Sequence, residues 1–144
     1  MGMTKLKVNK QRLSQVCQKH DVIAVYLHGS RVKGYAAPDS DTDVAIVVKD
    51  KSKLKRGAFS SYNVASELDD ILNVKEPDIR VVDEGTTPVF LFEIISCNHV
   101  IYEQSTGNRV DFESLVMRKY YDSARIHDIY RQYLFADIKE HYAN

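Results

Sequence analysis

The 144-residue chain has no tryptophan, only two cysteines and three prolines, and no excess of either charge, 20 basic residues balancing 20 acidic ones. Each shortage excludes something. Charge neutrality removes the electrostatic surplus with which a dedicated nucleic-acid binder wraps phosphates, so no direct nucleic-acid binding is expected and any cationic function is local. Cys17 and Cys97 stand far apart and without CxxC spacing, which argues against a zinc site or a disulfide framework and fits a reducing cytoplasm. No apolar run approaches the length that spans a bilayer, and the N-terminal MGMTKLKVNK lacks an apolar signal core, so a soluble cytoplasmic protein is expected. The length suits a single domain over residues 1–144, with a core that needs no disulfide or structural metal.

What is present alternates between two periodicities. Leu13, Val16 and Cys17 recur at helical spacing, and VIAVYLHG (22–29) reads as a buried strand. A turn-rich excursion, GSRVKGYAAPDS, leads to a second strand, DTDVAIVV (41–48), with the polar exit KDKSKLKR. Val64, Leu68, Ile71 and Leu72 form the stripe of an amphipathic helix, followed by the strand PDIRVV (77–82). Thr87-Pro88 reads as an N-cap with proline at the first helical position, opening the helix VFLFEIISC, and HVIYE reads as a short strand. From about Asp111 to Tyr142 a long pattern carries Val116, Met117, Tyr120, Ala124, Tyr130, Tyr133, Leu134 and Ile138 toward a core or a partner. The expected architecture is a small α/β (α+β) domain, a mixed sheet flanked by helices; strand order is not readable from the pattern.

The strand DTDVAIVV opens with two carboxylates. Alternation along a strand puts Asp41 and Asp43 on one face, roughly 7 Å apart, and Thr42, Val44, Ile46 and Val48 on the other. One face is therefore expected to be core and the other a site, with Ala45 leaving room beneath the carboxylates. Two carboxylates that close repel, and a cation that neutralises them is the natural partner; donors that are all oxygen suit a hard ion such as Mg²⁺. At the end of the preceding strand, Gly29 allows close backbone approach, and the N–H groups that follow, with the Ser30 hydroxyl, suit a phosphate. Arg31 and Lys33 stand beside that turn. Together these features describe a site for a metal-bound nucleoside triphosphate and displacement at phosphorus assisted by two ions. Asp78, opening the strand PDIRVV, is the candidate third carboxylate if that strand pairs beside DTDVAIVV.

The pattern Gly29-Ser30, ten residues, then Asp41-Thr42-Asp43 resembles the signature of the DNA polymerase β-like nucleotidyltransferase superfamily. With GSRVKG, SDTDVAIVV, PDIRVVD and the long C-terminal helix, essentially the whole chain is similar to the minimal nucleotidyltransferases (MNT), the antitoxin partners of HEPN-domain toxins. The resemblance implies the polymerase β-like fold, with Gly29 and Ser30 in the phosphate-binding turn and Asp41, Asp43 and Asp78 as catalytic metal ligands. It also implies two Mg²⁺ ions, ATP as substrate and a type VII-like toxin–antitoxin pair in which AMP passes to a tyrosine of the HEPN toxin. The chain departs from the family pattern at His28, where an apolar or aromatic residue is common, at Arg80, where the family usually has an aliphatic residue, and in SCNHVIYE, which lacks a glycine often found there.

Blander readings stand beside these. Asp78 alone can also be read as a strand-capping surface carboxylate, Arg31 and Lys33 as solvated turn charges, and KDKSKLKR as a solvated connection. His28 reads as a packed strand residue, the tyrosines of the final helix as core or interface, and the cysteines as inert thiols. Two further functional classes stay open: a small-molecule adenylyltransferase of the aminoglycoside type, and a non-catalytic antitoxin acting by binding alone. The first would ordinarily carry a second, acceptor-holding domain, and the second would not need three carboxylates. Homo- or hetero-oligomers are compatible with all of these.

Overall fold

A computed structural model describes residues 9–28, 43–54, 61–72 and 78–142. The elements run α1 (Lys10–Lys19), β1 (Val22–His28), β2 (Asp43–Val48), a 3-10 turn (Lys51–Leu54), α2 (Ser61–Leu72), β3 (Asp78–Val82), α3 (Pro88–Ser96), β4 (Val100–Glu103) and α4 (Thr106–Tyr142). The four strands form one mixed sheet in the order β3-β2-β1-β4, with β1 antiparallel to both neighbours and β2 parallel to β3. The expected α/β architecture is therefore observed, including the pairing of the strand that opens with Asp78 beside the strand carrying Asp43.

Local chemistry places the boundaries. Asn9 caps α1, its side-chain oxygen accepting from the Gln11 and Arg12 backbone N–H groups at 3.2 and 3.3 Å. Asp21 and Asn98 take positive φ, 53° and 50°, in the tight turns that enter β1 and β4; short Asx side chains tolerate that region better than others. Pro88 does open α3, but the Thr87 hydroxyl makes no capping hydrogen bond, so the expected cap is only a backbone one. At α4 the capping atom is Ser105 Oγ, which accepts from the Asn108 N–H at 3.1 Å and starts the helix ahead of the apolar pattern.

The sheet is covered on both faces. On one, Val25, Leu27, Val44 and Ile46 pack with Leu13 and Cys17 of α1 and Leu68, Ile71 and Leu72 of α2. On the other, Ala24, Tyr26, Ala45 and Val47 pack with Leu91 and Ile94 of α3 and Phe112 and Val116 of α4. This corrects the expectation that one face of β2 is core and the other a site: Ala45 and Val47 are fully buried, and only the end of the strand is left for chemistry. Burial pushes the Cys17 thiol up to about 12, which keeps it protonated and inert at neutral pH.

Tyr26, the largest fully buried side chain among the described residues, needs a partner for its hydroxyl. It donates to Glu113 Oε1 at 2.8 Å, and Glu113 in turn accepts from Arg109, which also pairs with Glu103 of β4. This network ties the start of α4 to the middle of the sheet. Replacing Tyr26 by Phe is expected to cost about 1.5 kcal/mol, the worth of one hydrogen bond to a charged acceptor. Urea unfolding checks it: a lower midpoint with unchanged slope is the expected result, and an unchanged midpoint would mean the hydroxyl contributes nothing.

Candidate functional site

The register of the sheet builds the candidate site. His28, the last residue of β1, is the cross-strand partner of Asp43, and Asp43 is the parallel partner of Asp78. Neighbouring strands lie about 4.8 Å apart, so the three residues form a row roughly 10 Å across. Strand alternation from Ala24 and Tyr26 on β1, Ala45 and Val47 on β2 and Val82 on β3 puts His28, Asp43 and Asp78 on the face covered by α3 and α4. Arg80, two residues beyond Asp78, shares that face.

Two carboxylates thus open adjacent parallel strands at one end of the sheet. Asp78 is about half exposed, and its Oδ2 lies 3.7 Å from Arg80 Nε. Helix α3 contributes Phe90, whose ring packs edge-on against His28 at 5.7 Å between centroids and lies beneath the Arg80 guanidinium at 5.5 Å. His28 is 6% exposed, and its Nε2 has no hydrogen-bond partner among the described residues. Burial holds the imidazole below the ordinary histidine range, against the opposing pull of Asp43, Glu93 and Asp78; Arg80 adds to the depression.

Of the residues singled out in the sequence, the structure brings together Asp43 and Asp78, on adjacent strands and in register. Gly29, Ser30, Arg31, Lys33 and Asp41 lie outside the described residues. In the chain, Gly29 directly follows the last residue of β1, and Asp41 precedes Asp43 by two positions. Among the described residues no group of three potential metal ligands gathers, and no helix is long and apolar enough to cross a membrane. The donor set fits a hard divalent ion, since Asp43 and Asp78 supply only oxygen. The sequence reads His28 as a packed strand residue, as its burial against Phe90 shows it to be, but gives Arg80 no role and does not mark Phe90 or Glu93. These two sit three positions apart on α3, a spacing that puts them on one helix face but does not say which strand end they cover.

A mixed sheet with helices on both faces and an acidic, oxygen-donor rim at one end is an architecture suited to phosphoryl chemistry. Residues 11–107 match the family described as polymerase beta, nucleotidyltransferase. The chain belongs to the polymerase beta nucleotidyltransferase family. None of the curated proteins matches the sequence significantly. Solved structures of similar fold include a chain of a toxin–antitoxin complex with AMP-PNP, 17% identical, with a TM-score of 0.55 and covering 91% of this chain and 98% of that one. Another belongs to a tri-AMPylated Shewanella oneidensis HEPN toxin in complex with an MNT antitoxin, at 16% identity, TM-score 0.52 and coverage of 90% and 95%. The toxin–antitoxin MntA–HepT supplies a third, at 16% identity, TM-score 0.51 and coverage of 90% and 96%.

Proposed function

We propose that this chain is an MNT antitoxin, a Mg²⁺-dependent adenylyltransferase that passes AMP from ATP to a tyrosine of a HEPN-domain ribonuclease toxin. The observation that carries the reading is the in-register pairing of Asp43 with Asp78 at the sheet end where β1 finishes, directly before Gly29 and Ser30 in the chain. Asp41, Asp43 and Asp78 would hold two Mg²⁺ ions, and Gly29 and Ser30, with Arg31 and Lys33 nearby, the triphosphate. Bound there, the ions supply charge neutralisation at the reacting phosphorus and a lowered pKa for the attacking hydroxyl. In the chain itself, Asp78 orients that hydroxyl and accepts its proton. The likeness to chains from MNT–HEPN complexes, one with AMP-PNP and one with an AMPylated toxin, supports the choice of nucleotide and partner.

Helix α4 supports a protein acceptor. Among the described side chains its last buried residue is Val116, and residues 125–140 are exposed throughout, a stretch of about 24 Å at 1.5 Å per residue. Ile126, Tyr130 and Tyr133 are 66%, 66% and 75% exposed, with Ile129, Leu134 and Ile138 also exposed. These six recur at spacings of three and four, which places them on one side of the helix. An acceptor can be positioned by a docked protein surface, and an apolar helix face suits a helical partner.

The test is incubation with ATP, Mg²⁺ and the product of the neighbouring reading frame, followed by intact-mass measurement of both chains. Gain of one or more AMP units by the partner, together with loss of its ribonuclease activity, is the expected result. A stable complex that blocks ribonuclease activity with the partner's mass unchanged would replace this reading by occlusion. No complex, with adenylylation of an aminoglycoside instead, would replace it by the small-molecule reading.

A further inference from the structure

Arg80 is a cation placed among carboxylates, and its surroundings define what it can do. It lies on edge strand β3, on the same face as Asp78, with its guanidinium over the Phe90 ring. Its contact with Asp78 is long, 3.7 Å from Nε to Oδ2, and both side chains are about half exposed. A pair of that length and exposure adds little to stability, so a purely structural counter-ion role accounts poorly for it. Its place over the Phe90 ring instead favours a position for a forked donor, and a planar fork matches the oxygens of a phosphate. Once the carboxylates are neutralised by a bound cation, Arg80 presents a surplus positive charge toward any anion that arrives.

The strand order says from which side such an anion comes. In the chain Gly29 and Ser30, the candidate phosphate-binding residues, directly follow β1, while Asp43 opens β2, and Asp78 and Arg80 sit on β3. In-line displacement requires the attacking oxygen and the leaving pyrophosphate on opposite sides of phosphorus. With the pyrophosphate held at the β1 side, the acceptor approaches over β3, where Arg80 stands. His28 Nε2, buried and without a partner among the described residues, adds unspent hydrogen-bonding capacity to the same cluster.

We propose that Arg80, held over Phe90, is an acceptor-side phosphate anchor that selects acceptors already bearing an AMP phosphodiester over unmodified ones. This rests on the adenylyltransferase reading above and assigns Arg80 a specificity role within it. In the step concerned, a ribose hydroxyl oxygen of the attached AMP forms a bond to the α-phosphorus of ATP. The bond from that phosphorus to the bridging oxygen breaks, pyrophosphate leaves with the electron pair, and the hydroxyl proton passes to Asp78. Arg80 holds the acceptor's phosphodiester while this occurs.

The test is calorimetric binding of two probes, N-acetyl-tyrosine amide and its O-adenylyl derivative, to the full chain saturated with Mg²⁺ and a non-hydrolysable ATP analogue. Wild type is expected to favour the adenylylated probe by roughly tenfold to a hundredfold, the worth of a charge-assisted hydrogen bond. Arg80→Gln is expected to bring the two probes within a few-fold of each other without altering affinity for the ATP analogue, and Arg80→Lys to fall between. Arg80 is exposed, so both variants are expected to keep the fold, which circular dichroism checks. No preference in wild type, or an undiminished preference in Arg80→Gln, overturns the proposal. Failure of wild type to bind the ATP analogue with Mg²⁺ overturns the adenylyltransferase reading first, and this proposal with it.

Discussion

Replacing Asp41 and Asp43 together by asparagine is expected to lower Mg-ATP affinity by more than about 100-fold and to reduce AMP transfer to background. Loss of an outer-shell partner alone typically costs a metal site 10–100-fold, and here two ligands change from charged carboxylates to neutral amides of nearly the same volume. The fold is expected to survive. Asp43 sits at the first position of β2, at the rim and not in the core, while the residues that pack the strand, Val44 to Val48, are untouched. Removing two neighbouring negative charges also relieves repulsion. Calorimetry with Mg-ATP, beside a thermal unfolding curve, separates the two effects. Unchanged Mg-ATP affinity in the folded double variant would mean that the nucleotide site lies elsewhere.

Asp78→Ala is expected to behave differently, depressing the transfer rate by about 10²–10⁴-fold, the usual worth of general acid–base catalysis, while ATP affinity changes far less. A group that orients and deprotonates the attacking hydroxyl acts mainly in the transition state, so its loss appears in kcat more than in substrate binding. Its position supports this division. Asp78 lies across Asp43 from the β1 side, where the nucleotide's phosphates would be held. Single-turnover kinetics with the proposed HEPN partner measures the effect, and wild-type rates in the variant would return Asp78 to the role of a surface carboxylate.

The elements of the sheet were legible because their apolar residues alternate or repeat within short windows. VIAVYLH and DVAIVV read as strands from their own composition, and Leu68, Ile71 and Leu72 mark the buried face of α2. The pairing of Asp43 with Asp78 was legible only as a condition, since it joins residues 35 positions apart in the chain, and nothing local encodes such a register. The second core layer was misread for a related reason. Ala45 looked like space left beneath a site, whereas it lies under α3 and α4, helices more than 40 residues further on. The start of α4 was placed too late because Thr106, Gly107 and Asn108 are poor helix formers; the Ser105 cap and tertiary packing override that weakness. The helix carries along its length an apolar stripe that sequence periodicity cannot divide between core and partner. The structure divides it, with Phe112 and Val116 buried and Tyr130, Tyr133 and Ile138 exposed.

Mn²⁺ in place of Mg²⁺, with a non-hydrolysable ATP analogue, gives the most direct test of where the chemistry takes place. The opposite end of the sheet carries a cavity of about 280 Å³ lined in part by Asp21, Lys49, Glu84 and Asp111, an acidic alternative well separated from the His28–Asp43–Asp78 row. In crystals of the full chain, anomalous difference density for Mn²⁺ is predicted beside the carboxylates of Asp43 and Asp78, with the triphosphate on the β1 side. Density only in the distal cavity, or nucleotide bound with no metal near Asp43, would contradict the account.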